Sequence, residues 1–320
     1  MTECEVLIVG GGPAGSTAAW KLVEAGFDVI ILDKSKFPRL KLCAGWITPR
    51  VIKDLEIDIN QYPYTIQKFN RLNYYFFQKL KLPIPTVQFS IRRYEFDDWL
   101  LKRSETKVYH HKVTDIKKVK DHFIIDDMFR SKYLVGAGGT HCPVYRTFFS
   151  ELSSRNEGKR ILALEEEFPY QVVDARCHLW MMENKLAGYS WYVPKGRNYL
   201  NVGIGGTLNA LRSENNSIKY HWELLVNKLK NIGLINNFEF HPRGYNYYLR
   251  DKDPIVQLDN IYLVGDAVGL ATIDMGEGIG PSVQSGILAA EAIINQSEYS
   301  VKSISKFSIP SIIFGKFISY

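Results

Sequence analysis

The sequence is poor in cysteine, and its few cysteines are not spaced to bind a metal or to form a disulfide framework. Cys4, Cys43, Cys142 and Cys177 lie far apart, with no C-x-x-C pair and no histidine at metal-ligand spacing. We therefore expect no metal site. Scattered cysteines are typical of a reducing compartment, and the first apolar strand follows Met1 too closely for a signal peptide. The prediction is a cytoplasmic protein.

Long apolar runs and dense basic clusters are also missing. No uncharged segment is long enough to span a bilayer. The formal charge of +6 is spread along the chain, and its densest basic group, Lys117 to Lys120, has no interleaved aromatic residues, so we expect no nucleic-acid binding. The apolar segment 309–320 has two interpretations, peripheral contact with a membrane surface or docking on the protein body.

The sequence does contain a complete nucleotide-binding βαβ pattern in residues 5–34. An apolar strand leads into Gly10-Gly11-Gly12-Pro13-Ala14-Gly15, a helical apolar pattern follows, and a second strand ends at Asp33. Gly10 permits the turn, Gly12 lets a diphosphate approach the backbone, and Gly15 lets the helix pack on the strands. The diphosphate is expected at the helix N-terminus. Asp33, 18 residues after Gly15, is expected to accept hydrogen bonds from ribose.

A second glycine–acid element lies far from the first. Residues 260–268 predict a buried strand that ends in Gly265-Asp266, and Gly278 and Ile279 begin a predicted helix. A nicotinamide dinucleotide does not need such an element, whereas the ribityl chain of FAD needs a hydrogen-bond acceptor such as Asp266. Backbone N–H groups near Gly278 and Ile279 would face the flavin edge where negative charge gathers on reduction. The two elements together predict FAD.

The middle of the chain predicts a second lobe rich in antiparallel strands. Residues 161–168 and 172–182 predict two paired strands, and residues 188–205 predict a hairpin with strict alternation. Tyr189 and Trp191 share one face, opposite Gly203 and Gly205, whose missing side chains would leave room for a ligand. This pattern indicates an apolar substrate pocket, and a sheet packed against a helix is the alternative.

Several motifs, taken in order, resemble those of FAD-dependent oxidoreductases of the p-hydroxybenzoate hydroxylase fold. These are Gly10-x-Gly12-x-x-Gly15, Arg93-x-x-Phe96-Asp97, Gly265-Asp266 and Gly276-Glu277-Gly278-Ile279. Within that group the chain is similar to the geranylgeranyl reductase family, through Lys41-x-Cys43-Ala44-Gly45 and Tyr189-x-Trp191 followed by Val202-Gly203-Ile204-Gly205. One departure is Ala137-Gly138-Gly139, where the family usually carries Ala-Asp-Gly.

The resemblance implies particular cofactor contacts. Asp33 would bind the adenosine ribose, Val113 would lie against adenine, Cys43 and Ala44 would border the flavin, Arg93 would contact the cofactor, and Asp266 would hold the ribityl chain. Together with the motif residues, the predicted FAD-binding set is Gly10, Gly12, Pro13, Ala14, Gly15, Asp33, Lys34, Cys43, Ala44, Arg93, Val113, Gly265, Asp266, Gly278 and Ile279.

The predicted fold class is α/β, with a Rossmann-like FAD-binding domain on a parallel sheet and a second domain on an antiparallel sheet. The first domain is expected to be discontinuous, over residues 1–55, 90–150 and 255–297. The second is expected over residues 56–89 and 151–254, and residues 298–320 are expected to form a C-terminal tail.

The predicted activity is that of an FAD-dependent oxidoreductase that transfers hydride from reduced flavin to an apolar, isoprenoid-like or otherwise unsaturated small molecule. The electron donor, NAD(P)H or another reductant, stays open, and no residue is identified as catalytic. One alternative is a flavin monooxygenase or halogenase, because Tyr189-x-Trp191-x-Val193-Pro194 resembles the halogenase pattern Trp-x-Trp-x-Ile-Pro. A non-catalytic flavin electron carrier is the other.

Overall fold

The computed structural model describes residues 1–77, 80–212 and 217–314. The helices are α1 (Pro13–Glu24), α2 (Pro49–Asp54), α3 (Arg93–Arg103), α4 (Pro143–Phe148), α5 (Ile218–Asn231), α6 (Ile279–Asn295) and α7 (Ile309–Phe314). The strands are β1 (Thr2–Val9), β2 (Val29–Asp33), β3 (Trp46–Ile47), β4 (Gln67–Phe76), β5 (Leu80–Ser90), β6 (Lys107–His110), β7 (Ile116–Val119), β8 (His122–Ile125), β9 (Phe129–Gly136), β10 (Arg160–Pro169), β11 (Cys177–Met181), β12 (Gly188–Lys195), β13 (Tyr199–Thr207), β14 (Arg243–Tyr248), β15 (Gln257–Leu258) and β16 (Ile261–Leu263).

The chain divides into two compact units, each discontinuous in sequence. The first unit comprises Met1–Arg39, Tyr94–Asn156 and Tyr248–Ser308, and the second comprises Leu40–Arg93, Glu157–Tyr247 and the residues from 309 onward. The predicted domain bounds differ from these units at residues 90–93, 151–156, 248–254 and 298–308, and also at residues 40–55, which the prediction places in the first domain. Residues 40–55 belong to the second unit because β3 pairs antiparallel with β5.

The first unit is built on the parallel sheet that the βαβ pattern predicts. Its strand order is β15-β16-β9-β1-β2-β6, and β1 runs parallel to both β2 and β9. Strand β1 alternates between two apolar layers, because Val6 and Ile8 pack on the side of α1 and α6, and Leu7 and Val9 pack on the other side. Burial on both faces explains why this strand is apolar throughout.

The second unit is built on an eight-stranded sheet of order β14-β10-β13-β12-β11-β4-β5-β3. The predicted hairpin is β12–β13, and its register places Trp191 opposite Gly203 and Tyr189 opposite Gly205. The prediction that residues 161–168 and 172–182 pair with each other is wrong. The hairpin lies between those two strands, so β10 pairs with β13 and β11 pairs with β12. Strands β4 and β11 pair in parallel. The antiparallel pairs are β10–β13, β11–β12, β12–β13, β3–β5 and β4–β5.

The two faces of this second sheet differ. One face packs against α5, where Tyr192, Val202 and Ile204 join Trp222 and Leu225 in one apolar cluster. Helix α5 begins after Ser217, whose side chain accepts a hydrogen bond from the Tyr220 N–H and so caps the helix. Alternation along the strands therefore places Trp191 and its neighbours on the opposite face.

No helix within the described ranges is both long and apolar enough to cross a membrane. In the same part of the chain, no cluster of three or more His, Cys, Asp or Glu side chains is arranged to bind a metal ion. Helix α7 docks on the second unit, since Ile312 is buried and the Gln88 side chain donates to the Ser311 carbonyl. The rest of the predicted surface segment, residues 315–320, lies outside the described residues.

Candidate functional site

The glycine turn after β1 is closed by contacts that leave no room for side chains. Gly10 has a φ of 113°, a conformation that favours glycine, and a Cβ there would overlap the carbonyl of Ala137. A Cβ on Gly15 would overlap the carbonyl oxygen of Gly10. The turn is therefore set by its own backbone and by the segment that follows β9, and α1 begins directly after it at Pro13.

Gly12, by contrast, borders open space at the N-terminus of α1. Its backbone (φ −75°, ψ −176°) is extended, and the nearest heavy atom to an added Cβ would be Nη2 of Arg39 at 3.5 Å. As the N-cap, Gly12 brings no side chain to the first-turn N–H groups. Open space beside free helix N–H groups and a guanidinium suits a diphosphate. The residues present therefore fit the dinucleotide part of FAD.

Arg39 was not among the predicted site residues. Its guanidinium forms an ion pair with the fully buried carboxylate of Asp97, with an Nη2–Oδ2 distance of 3.3 Å. The sequence places Asp97 only within the Arg93-x-x-Phe96-Asp97 motif. The pairing joins residues 58 positions apart, and nothing in the sequence distinguishes Arg39 from the lysines around it.

The end of β2 provides the predicted ribose-binding position. Asp33 is buried, and its carboxylate accepts hydrogen bonds from the backbone N–H groups of Gly11 and Ser35, both at 2.8 Å. These bonds fix the carboxylate beside the glycine turn. The backbone N–H of His111 donates to the Asp33 carbonyl at 2.8 Å, so the β6–β7 loop that carries the buried Val113 adjoins this position. The neighbouring Lys34 is exposed.

The second glycine–acid element lies against the first. Gly265 follows β16, its N–H donates to the Ser285 hydroxyl at 2.9 Å, and a Cβ on it would come within 3.0 Å of the Ala14 side chain. Asp266 lies next to the start of α6, because its Oδ1 would be 3.4 Å from a Cβ on Gly278. The structure therefore brings Ala14, Gly265, Asp266 and Gly278 together within the first unit.

The N-terminus of α6 carries a half-buried acid, Glu277, that is not among the predicted site residues. The carboxylate of Glu277 accepts a hydrogen bond from the Gly280 N–H at 2.5 Å. Burial raises the pKa of Glu277 to about 7, and the negative charge of Asp274 adds to this effect, whereas the Gly280 N–H opposes it.

Arg155 links the two loops that end the central strands of the first sheet. Its guanidinium donates to the carbonyls of Thr140 and Ala267. The ring centroid of Tyr145 lies 3.9 Å from the guanidinium carbon. Thr140 follows the Ala137-Gly138-Gly139 turn, where the family usually has an acid. The Arg155 guanidinium thus holds the 137–139 turn to the Gly265–Ala267 turn. The position of Arg155 in the sequence does not indicate this role.

The remaining predicted cofactor contacts lie in the second unit. Cys43 and Ala44 belong to the segment before β3, where the Cys43 Sγ accepts from the Gly45 N–H at 3.3 Å. Arg93, the first residue of α3, is buried. These three assignments stay predictions.

The face of the second sheet opposite α5 carries the predicted pocket residues. The Trp191 indole N–H donates to Asn201 Oδ1 at 2.6 Å, and the half-buried Tyr189 ring lies 5.7 Å from the Trp191 ring. A Cβ on Gly203 would overlap the Trp191 ring, so this glycine makes room for the indole. A Cβ on Gly205 would lie 3.6 Å from the same ring. The assignment of these two glycines to a substrate pocket stays a prediction.

Comparison with known proteins identifies relatives along nearly the whole chain. The family model described as an NAD(P)-binding Rossmann-like domain matches residues 8–70. An uncharacterized protein of Methanosarcina barkeri is 30% identical over 92% of this chain and 75% of its own length. Digeranylgeranylglycerophospholipid reductase 3 of Methanosphaera stadtmanae is 25% identical, over 99% of this chain and 85% of its own length. Menaquinone reductase of Mycolicibacterium smegmatis is 26% identical, over 91% and 76%.

Solved structures share the fold. A geranylgeranyl bacteriochlorophyll reductase-like protein of Thermoplasma acidophilum superposes with a TM-score of 0.78 at 21% identity, covering 92% of this chain and 80% of its own. A flavin-dependent halogenase superposes with a TM-score of 0.73 at 21% identity, covering 93% and 59%. The Rossmann-like family model, the flavin-dependent neighbour and the two glycine–acid elements support FAD as the cofactor. The chain belongs to the geranylgeranyl reductase family of FAD-dependent oxidoreductases.

Proposed function

We propose that this FAD-dependent oxidoreductase reduces a carbon–carbon double bond in an apolar, isoprenoid-like lipid held against the Tyr189–Trp191 face. The observation that carries the proposal is this aromatic face. It lies on the side of the sheet opposite α5, and the β12–β13 hairpin carries its Trp191. Apolar and aromatic walls with a few fixed polar groups are typical of sites for small apolar molecules. The names of two relatives, reductases of a digeranylgeranylglycerophospholipid and of menaquinone, support the same substrate class.

In this proposal the glycine–acid elements hold the cofactor, and the Tyr189–Trp191 face holds the substrate. FAD, once reduced, supplies the hydride. Arg39 and the N-terminus of α1 neutralise the diphosphate, and Asp33 accepts from the ribose hydroxyls. Asp266 accepts from the ribityl chain, and the Gly278–Ile279 backbone places positive charge where the flavin becomes negative. Trp191 and Tyr189 exclude water from the apolar substrate.

A monooxygenase or halogenase is the alternative within the same fold. A halogenase is among the structural neighbours, but 21% identity supports a common fold only. The halogenase pattern begins with tryptophan where this chain has Tyr189. A non-catalytic electron carrier would bind FAD equally well, so turnover separates the three functions.

We expect the protein, with its cofactor reduced by light under anaerobic conditions, to be reoxidised by an unsaturated isoprenoid. Geranylgeraniol, a geranylgeranyl phospholipid and menaquinone form the test panel, and NADH, NADPH and dithionite are compared as donors. The visible spectrum of oxidised FAD should return together with a product heavier by two hydrogens. Stopped-flow absorbance and mass spectrometry measure the two. Substrate-dependent oxygen uptake would contradict the reductase, and no reoxidation by any compound would favour the carrier.

Two tyrosine variants connect this activity with the proposed face. Tyr189→Ala should lower kcat/KM by about tenfold, because an aromatic contact of about 1–2 kcal/mol is lost. Tyr220→Ala is the matched control, since Tyr220 is exposed on α5 and therefore lies away from that face. Equal effects of the two substitutions would argue that the substrate binds elsewhere.

Peripheral membrane contact through residues 298–320 stays a prediction. Ile309, Ile313 and Phe314 of α7 are exposed, whereas Ile312 faces inward. A lipid substrate would make a membrane a reasonable partner, and an exposed apolar face is one way to reach it.

A further inference from the structure

Lys195, at the end of β12, is buried in the second unit and holds two backbone carbonyls. Its ammonium group donates to the carbonyl oxygen of Ala44 and, at 3.0 Å, to that of Ile91. Only 3% of the residue is exposed. Burial lowers the pKa of Lys195, whereas nearby acidic groups raise it. Since a buried ammonium is costly unless it is fully hydrogen-bonded, its contacts need a structural or functional reason.

The segment that Lys195 holds has an unusual backbone. Gly45 has a φ of 63°, where an L side chain is strained, and a Cβ there would overlap the Ile91 carbonyl oxygen. The Gly45 carbonyl in turn accepts from the Ile91 N–H at 2.8 Å. The Cys43–Gly45 segment is thereby held to Ile91, at the end of the β5 segment, from two directions. Without the Lys195 donor, the carbonyls of Ala44 and Ile91 would lose a shared charged partner.

Glu165, on β10 of the same sheet, also lies at the Cys43–Gly45 segment. It lies opposite Gly203 in β10–β13 pairing, and Gly203 lies opposite Trp191, so the three residues share one row of the sheet. Its carboxyl group is buried, and the backbone N–H of Cys43 hydrogen-bonds to it. Glu165 therefore contacts the segment at Cys43, one residue before the carbonyl that Lys195 holds.

Charged side chains from three segments act on Glu165. Burial raises the pKa of Glu165 to about 7, the positive charges of Lys195 and Lys41 lower it, and the negative charge of Glu167 raises it. Glu167 is itself paired with Arg92 at 2.8 Å. The Glu165 carboxyl group is therefore influenced by the positive charges of Lys195 and Lys41 and by the negative charge of Glu167 on its own strand.

We propose that Lys195 and Glu165 are positioning residues that fix the Cys43–Gly45 segment, which the resemblance assigns to the flavin. The pair acts through backbone groups, since Lys195 binds the Ala44 and Ile91 carbonyls and Glu165 binds the Cys43 N–H. Buried charged groups add little to stability compared with apolar residues of the same size. Lys195 and Glu165 are present because they hold the Cys43–Gly45 segment in one conformation. The effect of this segment on FAD rests on the proposed function. The claim that Lys195 and Glu165 fix the segment does not.

The first test uses the reactivity of Cys43 in the protein without added cofactor. Lys195→Met keeps the length of the side chain and removes its donor. Alkylation of Cys43 by iodoacetamide, assigned by peptide mass spectrometry, should become at least about tenfold faster, because hydrogen bonds to charged groups hold the segment. The buried Cys142 and Cys177 serve as internal references for global unfolding. A folded variant with the wild-type rate at Cys43 would overturn the proposal.

Lys228→Met is the matched control in the same unit. Lys228 pairs with the largely buried Glu183, but this pair joins α5 to the loop after β11. Its loss should leave the alkylation of Cys43 unchanged. Lys195→Met/Glu165→Gln is the safeguard against misfolding, since it leaves no buried charge without a partner and should also expose Cys43. If both Lys195 variants fail to fold while Lys228→Met folds, the pair serves the fold and the proposal is wrong.

A second readout separates positioning from a general structural role. The dissociation constant for FAD should rise about tenfold in Lys195→Met, whereas the constant for ADP, which needs only the first unit, should stay unchanged. Isothermal titration measures both. Equal weakening of both ligands, or of neither, would contradict the positioning role. If wild-type protein does not bind FAD at all, the proposed function fails, and the alkylation result still decides about the segment.

Discussion

Gly12→Ala should weaken FAD binding about 100-fold and leave the protein folded. The extended backbone of Gly12 accepts alanine, and the nearest atom to the added Cβ is a mobile arginine nitrogen at 3.5 Å. The methyl group would occupy the space through which the diphosphate approaches the helix N–H groups. Loss of two charged hydrogen bonds of about 1.5 kcal/mol each predicts a dissociation constant about 100-fold higher. Titration of FAD against the folded variant measures the effect.

Two further glycine substitutions control for folding. Gly15→Ala should prevent folding of the first unit, because its Cβ would overlap the Gly10 carbonyl and close packing of α1 would be lost. Gly244→Ala should change neither folding nor binding, since the nearest atom to its Cβ is 3.8 Å away in the second unit. Circular dichroism separates the three cases. Tight FAD binding by Gly12→Ala would place the cofactor away from the turn.

The stability of the protein should fall as pH rises from about 5 to 8. Glu165 and Glu277 each have a folded-state pKa of about 7, above the ordinary value of 4.5. Between these values the folded state holds a proton that the unfolded state has released. The free energy of unfolding therefore decreases with pH, by up to about 3 kcal/mol for each group at 1.36 kcal/mol per pKa unit. Urea unfolding at several pH values measures the decrease.

Other groups titrate in the same range, so the comparison must be between variants. Burial lowers the pKa of His178 and His221, which gives stability that rises with pH, opposite in sign to the glutamates. Glu277→Gln and Glu165→Gln should each flatten the decrease, and Glu277→Gln should be more stable than wild type near pH 8. Glu24→Gln, at an exposed position on α1, controls for the loss of one charge. Parallel curves for all variants would show that neither acid holds a proton.

The parts of the fold that follow from local pattern could be predicted from the sequence. The apolar runs that form β1 and β2, the glycine turn between β1 and α1, and the alternation of the β12–β13 hairpin are each set within a few residues. Strand pairing across the second sheet is not local. Residues 161–168 and 172–182 are neighbours in sequence, yet a hairpin that comes later in the chain lies between them.

The polar groups of the site were the harder part to predict. Glu165 is the first of three consecutive glutamates, a pattern typical of a solvated strand, and its burial depends on the distant Lys195 and Cys43. Arg39 is one of several basic residues after β2, and only the buried Asp97 identifies it. Such pairs arise from tertiary contacts between segments far apart in sequence, so no spacing or periodicity signals them.

The most direct test of the account compares FAD with ADP in the wild-type protein and in Asp266→Ala. The glycine turn and Asp33 should bind the adenosine diphosphate part, and Asp266 should bind only the ribityl part. We expect wild-type protein to bind both ligands. Asp266→Ala should bind FAD at least about tenfold more weakly and ADP with unchanged affinity, since one hydrogen bond to a charged group is lost. Wild-type protein that does not bind FAD, or a variant with wild-type affinity for it, would contradict the account.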